Sequence, residues 1–111
     1  MTSASAPIGF LALDDGGGLR LVELRPGVTS IGRGVAADVR VDCAGASQRH
    51  AALVVDPGGT VEIVDDRSDT GTYVNGASVD RRVLQPGDTI RIGRCVLGYV
   101  AAPAERPLAA A

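Results

Sequence analysis

The chain has 111 residues, a formal net charge of −2 and 45 % hydrophobic residues, with 15 Gly, 6 Pro and no Trp. This length fits one domain, and so many Gly and Pro residues leave little room for long helices. The nearly balanced charge argues against a nucleic-acid partner, and no apolar stretch is long enough to span a membrane.

Short apolar runs separated by turn signals follow one another along the chain. In order they read IGFLAL, LRLVEL, TSIG, VRV, HAALVV, TVEIVD, TYV, DTIRIG and CVLGYV. β-Branched residues dominate the runs, and their period is two: Val39 and Val41 share one face while Arg40 takes the other. The Asn75–Gly76 pair is a strong signal for a hairpin turn. These features predict strands throughout.

The predicted architecture is all-β, an antiparallel β-sandwich of about nine to eleven short strands. We expect a flexible lead-in over residues 1–7, the folded domain over 8–101, and a flexible tail or linker over 102–111. The stretch DDGGG at 14–18 predicts a hairpin turn, since it lacks the Lys-Ser/Thr of a nucleotide-binding loop. The N-terminal residues lack the charged and apolar regions of a secretion signal, so we expect a cytoplasmic protein.

Polar residues that do not fit a strand pattern fall in three connections. They are the first connection GRGVAAD (residues 32–38), the second connection CAGASQRH (43–50) and the third connection DDRSDTGTYVNG (65–76). Because alternate connections of a sandwich emerge at one end, we expect all three to meet on one rim. Arg33 offers a fixed charge, Ser47 a hydroxyl donor, and the glycine-containing turns offer backbone N–H groups. Such a concavity suits a phosphate dianion.

Four motifs in these connections carry a family resemblance: SIGR, SQRHA, SDTGTYVNG and LQPGDTIRIG. In order and spacing, from about Ile31 to Gly93, the chain resembles a forkhead-associated (FHA) domain. The resemblance implies an eleven-stranded β-sandwich that binds phosphothreonine peptides through loops at one end and is not an enzyme. It implies no cofactor and no metal, and its partners would be proteins phosphorylated by Ser/Thr kinases. The Arg-, Ala- and Gly-rich composition is typical of a GC-rich bacterium.

The resemblance assigns peptide contacts to Arg33, Ser47, Gln48, Asp69 and Thr70. Arg33 and Ser47 match residues that contact the phosphate, and Gln48 matches a position that also reaches it. Asp69 and Thr70 depart from the pattern, since the family more often has a small hydroxyl or amide residue and an Asn there. A further set matches residues that support the site: Gly32, His50, Gly71, Thr72, Asn75 and Gly76.

Two other functions remain open at this point. The departures at Asp69 and Thr70 leave room for an FHA-fold scaffold that binds its partner independently of phosphate. A hydrolase would use Ser47 or Cys43 as nucleophile and His50 as base, but no oxyanion-hole partner is recognisable. We interpret His50 instead as a buried brace between the connections, as the resemblance implies.

Simpler explanations exist for two residue types. Arg33 could pair with Asp38 in an ordinary surface ion pair. Cys43 and Cys95 do not form a CxxC motif and lie near no second histidine, so a zinc site is not expected and both are predicted to be free thiols.

Overall fold

The computed structural model describes residues 7–14 and 18–102, and this part of the chain is built entirely from strands and turns. The all-β prediction is confirmed. The eleven strands are β1 (Gly9–Asp14), β2 (Leu19–Leu24), β3 (Gly27–Gly32), β4 (Val39–Arg40), β5 (Ala51–Val55), β6 (Val61–Asp65), β7 (Thr72–Val74), β8 (Ala77–Val79), β9 (Arg81–Val83), β10 (Thr89–Ile92) and β11 (Cys95–Ala101).

The strands form two sheets that enclose one core. The six-stranded sheet has the order β2-β1-β11-β10-β7-β8, and the five-stranded sheet has the order β4-β3-β5-β6-β9. The predicted alternation is confirmed, because Val39 and Val41 are buried while Arg40 is exposed. Both sheets contribute to the core, whose largest fully buried side chains include Leu11, Leu13, Leu24, Ile31, Leu53, Ile63, Ile90, Ile92 and Leu97.

One pairing differs from the antiparallel prediction: β3 and β4 are parallel, with Ile31 opposite Val39. The short connection between them is folded back by side-chain contacts. The Asp38 carboxylate accepts hydrogen bonds from the Ser30 N–H at 2.9 Å and the Ser30 hydroxyl at 3.2 Å, and the Asp38 N–H donates to the Ser30 hydroxyl at 2.9 Å. These contacts let the chain re-enter the sheet beside β3 in the same direction.

The hairpin predicted at Asn75–Gly76 joins β7 to β8, with φ angles of 52° and 86° at the two turn residues. By contrast, β9 was not predicted, because all three of its residues are exposed and no apolar alternation marks it. It is held to β6 by pairing and by a bidentate contact in which the Arg81 guanidinium donates to both carboxylate oxygens of Glu62 at 3.0 Å.

The prediction of free thiols is wrong. Cys43 and Cys95 form a disulfide whose Cα atoms lie 5.7 Å apart. Packing of the second connection against the start of β11 brings together two cysteines that nothing in their local sequence relates.

Parts of three predicted segments fall outside the described residues: 1–6 of the lead-in, 15–17 of the DDGGG turn and 103–111 of the tail. Within the described ranges, no helix has the apolar length needed to cross a membrane. The same ranges hold no group of three or more His, Cys, Asp or Glu side chains placed to bind a metal ion.

Candidate functional site

The first and second connections lie side by side through backbone hydrogen bonds. The Arg33 N–H donates to the Ser47 carbonyl at 2.9 Å, and the Gly34 N–H donates to the Gln48 carbonyl at 3.1 Å. Gly32 is buried at this contact, and a Cβ atom there would collide with the Gln48 carbonyl. Only glycine therefore allows the two backbones to come this close.

The third connection joins the same rim through hydrogen bonds with the second connection. The Asp69 N–H donates to the Ser47 hydroxyl oxygen at 2.9 Å, and the Thr70 hydroxyl donates to the Gly45 carbonyl at 2.8 Å. The Asp66 N–H donates to the His50 carbonyl at 2.9 Å. All three connections thus meet at one end of the sandwich, and Ser47 contacts both of the others.

His50 is fully buried between the second and third connections. Its Nδ1 accepts the Ser47 backbone N–H at 3.0 Å, and its Nε2 lies 2.9 Å from the Gly71 carbonyl. A carbonyl can only accept and an amide N–H can only donate, so Nε2 carries the ring hydrogen and Nδ1 is the acceptor. Both ring nitrogens are therefore engaged with backbone groups, which is the bonding expected of a brace between two loops.

Ser47 and Arg33 provide the donors of the rim. The Ser47 hydroxyl oxygen accepts the Asp69 N–H, so its own hydrogen remains available to a ligand. The Asp38 carboxylate, a suspected partner of Arg33, is engaged by Ser30 instead. Arg33 is exposed, and within the described ranges its guanidinium makes no hydrogen bond or ion pair. An unneutralised guanidinium and an available hydroxyl donor on two adjoining connections are suited to an oxyanion.

The other residues assigned from the resemblance divide between the rim and the far end of β7. Gln48, Asp69 and Thr70 are exposed on the rim. Asn75 lies at the other end of β7, where its side chain accepts from the Thr89 N–H at 2.9 Å and donates to the Asp88 carboxylate at 2.9 Å. Asn75 thus fixes the hairpin that it forms with Gly76 to the start of β10.

Sequence reasoning missed Asp65, whose carboxylate organises the third connection. It accepts the Ser68 hydroxyl at 2.5 Å, the Thr72 hydroxyl at 2.6 Å and the Ser68 N–H at 3.2 Å. Thr72 is fully buried, and the Ser68 hydroxyl oxygen in turn accepts the Gly71 N–H at 2.9 Å. Partial burial alone would raise the pKa of Asp65, but the hydrogen bonds from Ser68 and Thr72 outweigh it and leave the pKa below its usual value.

Asp65→Asn is expected to destabilise the protein by about 1–3 kcal/mol near neutral pH, because the carboxylate accepts three hydrogen bonds. A lowered folded-state pKa means that the unfolded chain binds more protons, so this contribution is present above the ordinary Asp pKa of about 3.9 and is lost as the pH falls through the folded-state value. The difference in free energy of unfolding between parent and variant should therefore shrink in acid. Denaturant titrations from about pH 7 to pH 3 measure it.

The control for this measurement is Asp56→Asn, which removes a carboxylate from the turn between β5 and β6. There the Asp56 carboxylate accepts the Gly58 N–H at 2.7 Å, and an Asn oxygen can take over that bond. A gap between parent and Asp65→Asn that stays constant down to pH 3 would contradict the role given to the ionised carboxylate.

A shallow pocket of about 260 Å³ adjoins the rim and was also missed. Gly45 and Thr70 of the rim line it, together with Ala44, Tyr73, Arg91, Gly93 and Arg94. Arg91 of β10 lies opposite Tyr73 of β7 in the sheet, and its guanidinium is 4.2 Å from the centre of the Tyr73 ring. The two arginines flank the β10–β11 turn in the sequence RIGR, but only the sheet pairing places them beside the rim.

Asp69 is the one acidic side chain among the residues assigned to peptide contact. Arg49, which could have neutralised it, pairs with Asp66 at 3.1 Å. Asp69 is exposed, and its backbone N–H donates to the Ser47 hydroxyl oxygen. The negative charge of its carboxylate makes the rim less positive.

Asp69→Asn is expected to tighten the binding of a phosphothreonine peptide several-fold at low salt, since it removes a charge that repels a phosphate dianion and keeps the backbone N–H. The gain should be smaller at high salt, because screening already weakens the repulsion. Calorimetric titration at two salt concentrations measures both values, with Asp56→Asn as a charge-matched control away from the rim. Weaker binding by a folded Asp69→Asn protein would mean that the carboxylate itself bonds the peptide.

Comparison with known proteins gives consistent matches. The family model described as FHA domain matches residues 29–93. The chain is 51 % identical over 77 residues to the ABC transporter ATP-binding/permease protein Rv1747 of Mycobacterium tuberculosis, covering 69 % of this chain and 9 % of that protein. It is 40 % identical over 75 residues to the glycogen accumulation regulator GarA of Mycolicibacterium smegmatis, covering 68 % of this chain and 47 % of the regulator. The chain thus spans less than half the length of either relative.

Solved structures agree with the sequence matches. A structure from a study of phosphothreonine-dependent FHA domain interactions has a TM-score of 0.80 and 38 % identity, covering 86 % of this chain and 98 % of that one. The FhaA FHA domain complexed with the intracellular domain of Rv3910 has a TM-score of 0.76 and 40 % identity, covering 82 % and 98 %. The family match extends over more than half of the chain and includes the three connections that form the rim. The chain therefore belongs to the FHA domain family.

Proposed function

We propose that the rim is a phosphothreonine-dependent docking site, through which the protein carrying this domain recruits partners phosphorylated by Ser/Thr kinases. The observation that carries the proposal is the exposed Arg33 guanidinium, without a partner in the described ranges, on the same rim as the Ser47 hydroxyl. Structures similar to this one come from work on phosphothreonine-dependent interactions and from an FHA domain in complex with another protein's intracellular domain.

Binding would follow from the donors on the rim. A phosphothreonine carries a charge near −2 at neutral pH and three acceptor oxygens. Arg33 donates two parallel N–H groups to the phosphate, the Ser47 hydroxyl donates its hydrogen, and the Gln48 amide reaches the phosphate from the side. Asp69 and Thr70 lie on the third connection, where they face the peptide backbone. Charge-assisted hydrogen bonds make the phosphate the dominant contribution to affinity.

The proposal is for an interaction module and not an enzyme. The geometry that supports this is the engagement of both His50 ring nitrogens by backbone groups of Ser47 and Gly71, and the bonding of Cys43 to Cys95. The Ser47 hydroxyl and the Cys43 sulfur are therefore not hydrogen-bonded to His50, the base that a nucleophile would need. We propose a cytoplasmic location and take residues 8–101 as the domain.

The test is a binding screen of the domain against phosphothreonine peptide libraries, with the same libraries unphosphorylated and with phosphoserine in place of phosphothreonine. We expect selective capture of phosphothreonine peptides. Loss of the phosphate should reduce affinity at least about a hundredfold, because it removes several charge-assisted hydrogen bonds of about 1.5–3 kcal/mol each. Equal binding of the unphosphorylated library would reject the proposal in favour of a phosphate-independent scaffold.

A further inference from the structure

The Cys43–Cys95 disulfide ties the rim to the body of the fold. Cys95 is the first residue of β11 in the six-stranded sheet, and Cys43 begins the second connection, which follows β4 of the other sheet. The two residues are separated by 52 positions in the sequence. Cys95 is 2 % exposed, whereas Cys43 is half-buried. The bond therefore links the two sheets with one end in the core and the other beside the binding rim.

Next to this bond, the second connection rests directly on the β10–β11 turn. The Arg94 N–H donates to the Ala44 carbonyl at 3.0 Å. Gly93 has a φ of 59°, and a Cβ atom on it would lie 2.7 Å from the Ala46 nitrogen. The two backbones are thus in contact with no side chain between them. This contact would be lost if the second connection moved away from the β10–β11 turn.

The same stretch positions Ser47. The Ala46 N–H donates to the Cys43 carbonyl at 3.1 Å, so a tight turn leads from the cysteine to the serine. On the other side of Ser47, its hydroxyl oxygen accepts the Asp69 N–H. Movement of Cys43 away from Cys95 would therefore be passed along this turn to the hydroxyl that we assign to the phosphate.

From this arrangement we infer that the Cys43–Cys95 disulfide is a redox switch of the phosphopeptide site. The oxidised form holds the second connection against the β10–β11 turn with Ser47 in its binding position, and the reduced form loosens that connection and weakens phosphopeptide binding. The inference rests on the proposed function, and it adds a regulation of the same site. In reducing compartments protein disulfides are usually transient and redox-sensing, which fits a switch better than a permanent crosslink.

The chemistry is thiol–disulfide exchange with a dithiol reductant. A thiolate of the reductant attacks the sulfur of Cys43, the less buried of the two cysteines, the S–S bond breaks, and Cys95 leaves as a thiolate that takes up a proton. The second thiol of the reductant then attacks the reductant's other sulfur, which is bonded to Cys43 in the mixed disulfide. Cys43 is released as a thiol. Two electrons pass to the protein, and the reductant becomes a disulfide.

Redox state and ligand binding must be coupled in both directions. If the oxidised domain binds a phosphopeptide more tightly by some factor, the bound peptide favours the disulfide over the dithiol by the same factor. We expect roughly three- to tenfold weaker binding after reduction. For a two-electron couple, that factor corresponds to a lowering of the reduction midpoint by about 14–30 mV when peptide is saturating.

The experiment compares the oxidised domain with the domain reduced by dithiothreitol, each state verified by counting thiols. The probe is the phosphothreonine peptide that the oxidised domain selects from the library, and its Kd is measured by fluorescence anisotropy. The matched control is Cys43→Ala, which cannot form the bond. It should bind like the reduced parent and should not respond to dithiothreitol. The midpoint of reduction is titrated with and without peptide.

Amide hydrogen exchange provides a readout that needs no peptide. On reduction, the Asp69 and Arg94 amides should lose protection, because their acceptors are the Ser47 hydroxyl oxygen and the Ala44 carbonyl. The Leu84 amide, bonded to the Val61 carbonyl at 2.8 Å away from the rim, should stay protected. The inference would be overturned if the exchange rates of all three amides were the same in the oxidised and the reduced state.

The outcomes separate this inference from the proposed function. Equal Kd values in both states, even with a lower melting temperature after reduction, would make the disulfide purely structural and overturn the switch while the phosphopeptide function stands. If the oxidised domain selects no phosphothreonine peptide, the proposed function fails and the switch of that site fails with it. The exchange data would still show whether the bond orders the rim. Weaker binding on reduction together with a peptide-dependent midpoint supports both.

Discussion

Replacing Arg33 with alanine is expected to weaken the binding of a phosphothreonine peptide about ten- to a hundredfold and to leave the fold intact. The guanidinium would form charge-assisted hydrogen bonds to the phosphate, which contribute about 1.5–3 kcal/mol. The side chain is exposed and makes no hydrogen bond or ion pair within the described ranges, so its removal leaves no cavity in the core. Two hydrogen bonds of this residue, from its N–H to the Ser47 carbonyl and from the Arg40 guanidinium to its carbonyl, both use its backbone and are retained.

Three further variants make this test specific. Ser47→Ala should lose affinity in the same range, since it removes the second proposed donor to the phosphate. Arg33→Lys keeps the charge but not the forked geometry, so its affinity should lie between those of the parent and Arg33→Ala. Arg82→Ala removes an equal charge from β9 and should bind like the parent. If Arg33→Ala and Ser47→Ala both matched the parent in calorimetric titration, the phosphate would bind elsewhere.

His50→Ala is expected to act through stability and, as a consequence, through binding. The substitution leaves the Ser47 N–H and the Gly71 carbonyl, which are partly buried, without these partners and opens a cavity in place of the fully buried ring. We expect a loss of about 2–4 kcal/mol in the free energy of unfolding. For a domain of this size the melting temperature should fall by at least about 10 °C. Calorimetric melting curves of parent and variant measure the shift.

A conservative variant separates bracing from direct contact. His50→Gln keeps one donor and one acceptor in reach of the same partners but lacks the rigid ring, so it should recover part of the lost stability. Binding should follow stability across the two variants, because His50 positions Ser47 and is shielded from the peptide. A His50→Ala protein that melted like the parent but could not bind would contradict the brace and indicate direct contact or catalysis.

Much of the site could be predicted because its residues are grouped in short motifs. The connections containing Arg33, Ser47 and Thr70 each stand out locally, where polar residues interrupt the period of two. Asp65 could not be found in this way, because an Asp at the end of a strand has no distinctive local pattern. Its role comes from Ser68 and Thr72, whose hydroxyls reach it only after the third connection has folded around it.

The sequence by itself determined most of the strands and their inward faces, the Asn75–Gly76 hairpin and the family of the fold. These depend on neighbours along the chain: alternation places side chains on one face, and the hairpin turn needs only two residues. Only the tertiary structure decided that β4 runs parallel to β3, that Arg49 pairs with Asp66 and not with Asp69, and that Cys43 meets Cys95 across 52 positions. The direction of β4 depends on the contacts between Ser30 and Asp38, which no strand pattern encodes. Arg49 meets Asp66 through the pairing of β5 with β6, and the two cysteines meet through packing of the two sheets, so both contacts join residues that lie far apart in the chain.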